Sequence, residues 1–165
     1  MDTLESQYLS LIDQHQKLIH KVCHLYCKEG TLREDLFQEI LLQLWKAYPS
    51  FRGESKVSSW MYRIALNTAI ALYRKQKKDP PLSEMNEEVH LIAGKGTRYE
   101  QEESQHFLYQ AIYSLNDIDK AIILLYLESY KYEEIADIMG ISVNLVGVKI
   151  NRIKQKLKKK LKHLV

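Results

Sequence analysis

Eight cations and no acid fall within residues 141–165: Lys149, Arg152, Lys154, Lys156, Lys158, Lys159, Lys160 and Lys162. The chemistry such a run serves best is the neutralisation of phosphates. Directly before it stands Tyr132-Glu133-Glu134-Ile135-Ala136-Asp137-Ile138-Met139-Gly140-Ile141-Ser142. Gly140 can take the left-handed backbone that a sharp turn requires, and Ser142 can cap the helix that follows. Ala136 is small enough to let two helices cross closely, and Ile141 is placed to point back into a core. This is the pattern of a helix-turn-helix whose second helix enters a major groove. With no acid nearby in the sequence, Lys149, Arg152 and Lys154 are expected on phosphates. Val143, Asn144, Gly147, Val148 and Asn151, at the start of the helix that Ser142 caps, stand where base edges would be met. The bland alternative is an αα-hairpin with a solvated basic face.

Two further constellations stand in the first half. Asp35, Gln38 and Glu39 recur at i, i+3 and i+4, one polar cluster on a helix whose opposite face is apolar; an ordinary solvated face has the same spacing. Ser50-Phe51-Arg52-Gly53-Glu54-Ser55-Lys56-Val57-Ser58-Ser59 leads into Trp60, Tyr62, Arg63 and Asn67. Aromatics interleaved with cations suit unstacked bases, since every base has a π-face. The competing reading is a core Trp60 beside solvated cations.

Other candidates for chemistry fall away. His20, Cys23, His24 and Cys27 lie at i, i+3, i+4 and i+7 on one helix face, and a straight helix cannot wrap four ligands around a tetrahedral zinc. No metal and no cofactor is expected. Cys23 and Cys27 are read as reduced, half-buried thiols. Gly94-Lys95-Gly96-Thr97 lacks the first glycine and the preceding strand of a phosphate loop. Glu133-Glu134 fits first-turn acids favoured by the helix dipole. No nucleophile-and-base arrangement emerges from residue order, so the expectation is a protein that is not an enzyme.

The elements that must hold these residues read as helices throughout. Glycine (6) and proline (3) are scarce, and a composition 45% hydrophobic and 27% charged argues against disorder. Residues 3–28 read as one helix ended by Gly30. Residues 32–48 form a second, with Phe37, Ile40, Leu41, Leu44, Trp45 and Tyr48 as its apolar stripe and Pro49 as its stop. A third starts near Ser58 or Ser59 and runs to about Lys78. Its inner face is Met61, Ile64, Ala65, Thr68 and Leu72, and Arg63, Asn67 and Arg74 share a different, polar face. Asp79-Pro80-Pro81 breaks it. Helices at 100–114, 117–127, 131–139 and 142–161 follow. The expected fold is all-α: a domain at 1–78, a linker at 79–99 and a domain at 100–165. Net charge divides unevenly, +3 over residues 1–80, −8 over 81–140 and +8 over 141–165. A basic tail behind an acidic middle points to a polyanion at the C-terminus. The polar start after Met1 is unlike a signal peptide, and no apolar run approaches the ~20 residues of a membrane span, so a cytoplasmic location is expected.

These residues carry a resemblance. Asp35-Leu36-Phe37-Gln38-Glu39, then Trp45, then Trp60-Met61-Tyr62-Arg63-Ile64-Ala65-Leu66-Asn67 resembles region 2 of the sigma-70 family of bacterial RNA polymerase sigma factors. The C-terminal helix-turn-helix resembles region 4. Two regions in under 200 residues resemble the extracytoplasmic-function (ECF) group. The resemblance spans about residues 5–78 and 100–162. It implies a transcription initiation factor that binds core RNA polymerase and directs it to −10 and −35 promoter elements. Asp35, Gln38 and Glu39 would face the β′ clamp helices. Residues Phe51 to Ser59, with Arg52, Lys56 and Ser58, would form the loop that captures a flipped −10 base. Trp60, Arg63, Asn67 and Arg74 would follow the melted non-template strand and its upstream duplex. The helix from Ser142 would enter the −35 groove, using Asn144, Gly147, Val148, Lys149, Asn151, Arg152 and Lys154, and the rest of that domain would meet the β flap. An anti-sigma factor would hold the inactive protein. The chain departs from the family at Leu145 and Gly147, which stand where a threonine and a basic residue are usual. A glycine inside a helix costs ~1 kcal/mol relative to alanine, and it leaves room for close backbone approach to DNA.

Two rival functions make different demands. A regulator that reads duplex DNA as a dimer without docking on polymerase would bind paired half-sites alone. An adaptor whose N-terminal helices only bind protein would melt no promoter.

Overall fold

The structure, a computed structural model, describes residues 3–78 and 107–164. Among these there is no β-strand, and the expected all-α architecture holds. The chain divides into two compact units, Met1–Lys75 and Gln76–Val165. The expected linker at 79–99, with Gly94-Lys95-Gly96-Thr97, and the start of the helix at 100–114 lie outside the described residues.

The first unit contains α1 (Leu4–Gln14), α2 (Gln16–Tyr26), α3 (Gly30–Ala47), a 3-10 turn (Tyr48–Ser50) and α4 (Val57–Lys78). Where one helix was expected over 3–28 there are two. His15 leaves the helical region at φ −122°, ψ 21°, and its N–H turns to the carbonyl of Ile12 at 3.1 Å, three residues back. No glycine or proline marks the break; it falls in the polar run Asp13-Gln14-His15-Gln16-Lys17, which has no apolar side chain to anchor either turn. The break gives each helix its own packing direction. Tyr8 of α1 reaches the C-terminal half of α3, its hydroxyl donating to the Leu41 carbonyl at 2.5 Å, while α2 packs along α3.

Gly30 does not end that helix; it is the first residue of α3. α2 stops at Tyr26 and is closed from a distance: Arg33 donates from Nε to the Cys27 carbonyl at 3.0 Å and from Nη2 to the Lys28 carbonyl at 2.5 Å. A guanidinium fork can satisfy two orphaned carbonyls where a glycine cap would satisfy them by backbone alone. Cys23 and Cys27 are buried, more fully than expected of half-buried thiols.

The core of this unit gathers Ile19, Val22, Ile40, Leu44, Met61 and Ala65, all fully buried. Each large member is worth ~1.5–3 kcal/mol on leaving water. On α4 the buried face is Met61, Tyr62, Ala65, Leu66, Ala69 and Ile70, a rotation from the expected Met61, Ile64, Ala65, Thr68 and Leu72. Ile64, Thr68 and Leu72 are only half-buried. The rotation arises because small Ala65 and Ala69 let the neighbouring helices approach, which brings Tyr62 and Leu66 inside.

The second unit contains α5 (described over 107–113), α6 (Asp117–Leu127), α7 (Tyr132–Met139) and α8 (Val143–Leu164). Asn116 caps α6, its Oδ1 accepting from the Asp119 N–H at 2.8 Å. α6 is nearly surrounded, burying Ala121, Ile122, Ile123 and Leu125. It ends with Ser129 in the left-handed region at φ 68°, where Tyr130 N donates to the Leu125 carbonyl at 3.1 Å and Ser129 N to that of Tyr126 at 3.0 Å. That pair of bonds is the Schellman closure, built here without glycine.

Candidate polymerase and nucleic-acid interfaces

Three surfaces carry the residues singled out in the sequence, and their chemistry differs.

On α3, Asp35 and Gln38 are exposed and Glu39 is half-buried, accepting from Gln43 Nε2 at 3.0 Å. All three share the face turned away from Leu36, Ile40 and Leu44. Leu42, one turn beyond Gln38 and Glu39, is 44% exposed on the same face. Periodicity had placed apolar residues of α3 in a single stripe, and Leu42 was missed; being out of phase with that stripe is the signal that could have found it. An acidic face with a bare leucine repels phosphates and suits a protein partner.

The second surface begins where α3 ends. Pro49 sits in the 3-10 turn, the Ser50 hydroxyl donates to the Ala47 carbonyl at 2.8 Å, and Phe51 N donates to that of Tyr48 at 3.0 Å. Gly53 takes φ 72° to turn the chain. The loop is shorter than the expected 51–59, because Val57, Ser58 and Ser59 form the first turn of α4. Phe51 rests on Trp60 with ring centroids 4.7 Å apart, and Trp60 meets Tyr48 at 6.4 Å. The series runs on through Tyr8, 5.5 Å from Tyr48 and 5.0 Å from Trp45. Burial pushes the Tyr8 phenol up to about 12. Trp60 is therefore neither core nor free platform; it is half-buried with one side given to Phe51. Arg52 and Lys56 are exposed and Ser58 is half-buried. Trp60, Arg63, Asn67 and Arg74 lie within an arc of about 60° along α4 at 100° per residue. The last three are exposed. A line of ring, cation, amide and cation suits a single strand: phosphates on the guanidiniums, bases on the rings.

The third surface is α8 with its preceding turn. Gly140 ends α7 at φ 70°, ψ 35°, and both Gly140 N and Ile141 N donate to the Ala136 carbonyl, at 2.8 and 3.1 Å. Ser142 Oγ accepts from Leu145 N at 3.1 Å, the expected cap. Val146, Ile150, Ile153 and Leu157 bury one face of α8 against α6 and α7. The opposite face carries Asn144, Val148, Asn151 and Arg152, all exposed, with Val148 44% bare.

The remaining expected residues of α8 do not share that face. Gly147 is half-buried and looks toward α7, where an added Cβ would stand 3.7 Å from the Tyr132 ring, an ordinary packing distance. Lys154 lies over the Tyr126 ring, Nζ to centroid 4.5 Å, and a hydrogen bond to Tyr126 holds its ammonium above the usual range. Lys149 is not clear of acids: its Nζ is 3.8 Å from Asp119 Oδ1, and Lys156 Nζ is 3.6 Å from Asp119 Oδ2. Asp119 is 30 residues from Lys149 in the chain, so an acid absent from 141–165 is supplied by α6. Lys160 donates to the Ser114 hydroxyl. Among the described residues, no group of three or more His, Cys, Asp and Glu stands close enough to hold a metal ion.

Comparison with known proteins follows the same division. Residues 11–79 match sigma-70 region 2 and residues 108–157 match sigma-70 region 4. The chain is 31% identical to the ECF RNA polymerase sigma-E factor of Escherichia coli K12 over 94% of its own length and 86% of the relative's. It is 28% identical to the protein of that name from Haemophilus influenzae, over 94% and 87%. Among solved structures it is similar in fold to the sigma factor RpoE of Bartonella quintana, crystallised with the anti-sigma factor NepR (TM-score 0.68, 22% identity, 92% of this chain and 98% of that one). It is also similar to CnrH in complex with the cytosolic domain of CnrY (TM-score 0.66, 20% identity, 94% and 88%).

Proposed function

The chain belongs to the sigma-70 family of RNA polymerase sigma factors, in its extracytoplasmic-function group, and from that premise we propose how its three surfaces divide the work of directing polymerase to promoters. The α3 face (Asp35, Gln38, Glu39, with Leu42 added) docks on the β′ clamp helices of core polymerase. The loop from Phe51 through Arg52, Lys56 and Ser58, with Trp60, Arg63, Asn67 and Arg74, holds the unpaired −10 strand. α8 enters the −35 groove, capped at Ser142. Asn144, Val148, Asn151 and Arg152 meet base edges and nearby phosphates, Lys149 and Lys154 are turned from that face toward Asp119 and Tyr126, and the remainder of the second unit meets the β flap.

The observation that carries this reading is the opposite chemistry of two faces in one small unit. α3 presents acids and a leucine, and α4 presents cations, an amide and an indole. A protein partner and a nucleic-acid partner each find a suited surface, as a polymerase subunit needs and a dimeric duplex reader does not. Melting draws on preferential binding of the single-stranded form, without nucleotide hydrolysis and without catalysis by this chain. No described helix is long and apolar enough to cross a membrane. We place the protein in the bacterial cytoplasm. The partners in the complexes of similar fold are an anti-sigma factor and a cytosolic domain, which supports an anti-sigma factor as the agent that holds this chain inactive.

Run-off transcription with bacterial core polymerase on host genomic fragments tests the reading. Transcripts that need this protein and share −10 and −35 sequences are expected. A chain that binds no core polymerase and yields none refutes it, and leaves the duplex-binding regulator.

A further inference from the structure

α8 is 22 residues long, about 33 Å at 1.5 Å per residue, and the match to region 4 stops at residue 157. Its cations sort by direction. Lys149 and Lys156 point to Asp119, Lys160 to Ser114 and Lys154 to Tyr126. Asp119 is buried, 5% exposed, in the first turn of α6. Arg152, Lys158, Lys159 and Lys162 point elsewhere. They are exposed, and make no ion pair or hydrogen bond among the described residues. At 100° per residue they fall in one arc of about 120° with Asn144, Val148, Asn151 and Gln155. The outer stripe of α8 is thus amide and apolar over its first turns and cationic over its last.

We propose that the C-terminal half of this stripe, Lys158, Lys159 and Lys162, is a second contact surface for duplex DNA, on the phosphates beside the groove that the first half enters, and that Asp119 sets its limit by holding Lys149 and Lys156 off the DNA. The occupant follows from charge and continuity. The stripe has no acid from residue 141 onward and runs unbroken from the residues facing base edges. A helix whose N-terminal turns sit in a major groove carries its far end out across the backbone. Binding by phosphates alone is blind to sequence. Pairing two lysines with Asp119 therefore lowers affinity for every duplex and leaves a larger share of discrimination to Asn144, Val148 and Asn151. Asp119 is a positioning residue in this scheme.

The proposal rests on α8 being the −35 helix, and the experiment separates the two. Holoenzyme is assembled from core polymerase and the full chain, and its binding to a promoter duplex and to a scrambled duplex is measured across salt. Removing one lysine–phosphate pairing lowers the slope of log K against log salt by ~0.9. Lys159→Gln is expected to lower it by about one, and the triple change Lys158→Gln, Lys159→Gln, Lys162→Gln by two to three, with unchanged preference for the promoter. Lys156→Gln, two turns from the same helix end but turned to Asp119, is expected to leave it unmoved. Asp119→Asn is expected to steepen it and to narrow the gap between promoter and scrambled duplex. Equal effects of Lys156→Gln and Lys159→Gln overturn the proposal, because charge position would then not matter. So does a triple variant with the parental slope; if that variant also binds core polymerase more weakly, the stripe faces an acidic protein surface instead. Should Asp119→Asn unfold, the lysine comparison still decides. Asn144→Ala with Asn151→Ala tests the −35 reading itself: an unaltered base preference there refutes that reading whatever the slopes show.

Discussion

Phe51 lies against Trp60, ring centroids 4.7 Å apart and planes at 41°. The loop proposed to receive a −10 base is thereby tied to the helix proposed to track the strand. The contact also takes part of each ring out of water.

Phe51→Ala should separate capture from docking. Base-on-aromatic stacking is worth ~1–3 kcal/mol, so stable open complexes should fall roughly tenfold or more, with core polymerase affinity and closed-complex binding unchanged. Permanganate reactivity of unpaired thymines reads the first, and fluorescence anisotropy the other two. Open complexes at the parental level would show that Phe51 only packs.

Leu42→Ala should leave the free protein as stable as before, because the side chain is already 44% exposed. Affinity for core polymerase should drop by about tenfold if Leu42 anchors that contact, since a leucine buried at an interface contributes on the order of 1–2 kcal/mol. Thermal melting and a polymerase titration together check this; unchanged affinity removes Leu42 from the docking face.

Ser129 occupies a left-handed position at φ 68°. That backbone costs a side-chain-bearing residue ~1–2 kcal/mol, and glycine much less. Ser129→Gly is expected to raise the melting midpoint of the second unit by several degrees, roughly 4–8 °C per kcal/mol in a domain of this size. Gly140→Ala should act in the opposite sense, since Gly140 holds φ 70° at the turn into α8. Calorimetry on the full chain reads both.

The first unit should weaken in alkali. Burial, with the nearby Cys27, pushes the Cys23 thiol up to about 12, and burial pushes the Tyr8 phenol from 10.0 to about 12. A group raised in the folded state contributes its stability in full below its unfolded value and loses it as pH climbs toward the folded one. The melting midpoint should therefore fall from about pH 9 upward, and less steeply in Cys23→Ala. At pH 8 the folded protein should also resist alkylation at Cys23, since the thiolate is the nucleophile, while the denatured chain reacts. Rapid labelling of the folded chain would contradict the burial.

Local signals were legible. The glycine stop at Gly140, the Ser142 cap and the residues Asp35, Gln38, Arg63, Asn67 and Arg74 could be read as exposed or capping positions because each depends on a turn or two of chain. The break at His15 was not, since no residue there forbids a helix and the choice was made by where Tyr8 could pack. The inner face of α4 was misjudged by a rotation for a similar reason: periodicity says that a face exists, and packing around small Ala65 and Ala69 decides which way it turns.

What the sequence determined by itself is the inventory: segments of helical period, a helix-turn-helix with its cap, and a charge-pure C-terminal helix. All of these follow from interactions within a few residues. What the tertiary structure decided is which of those charges and apolar groups remain available. Asp119 claims Lys149 and Lys156, Tyr126 lies under Lys154, Tyr132 faces Gly147, and Leu42 is left bare. The partners come from other helices, and the direction in which helices pack is set by side-chain fit that no single helix encodes.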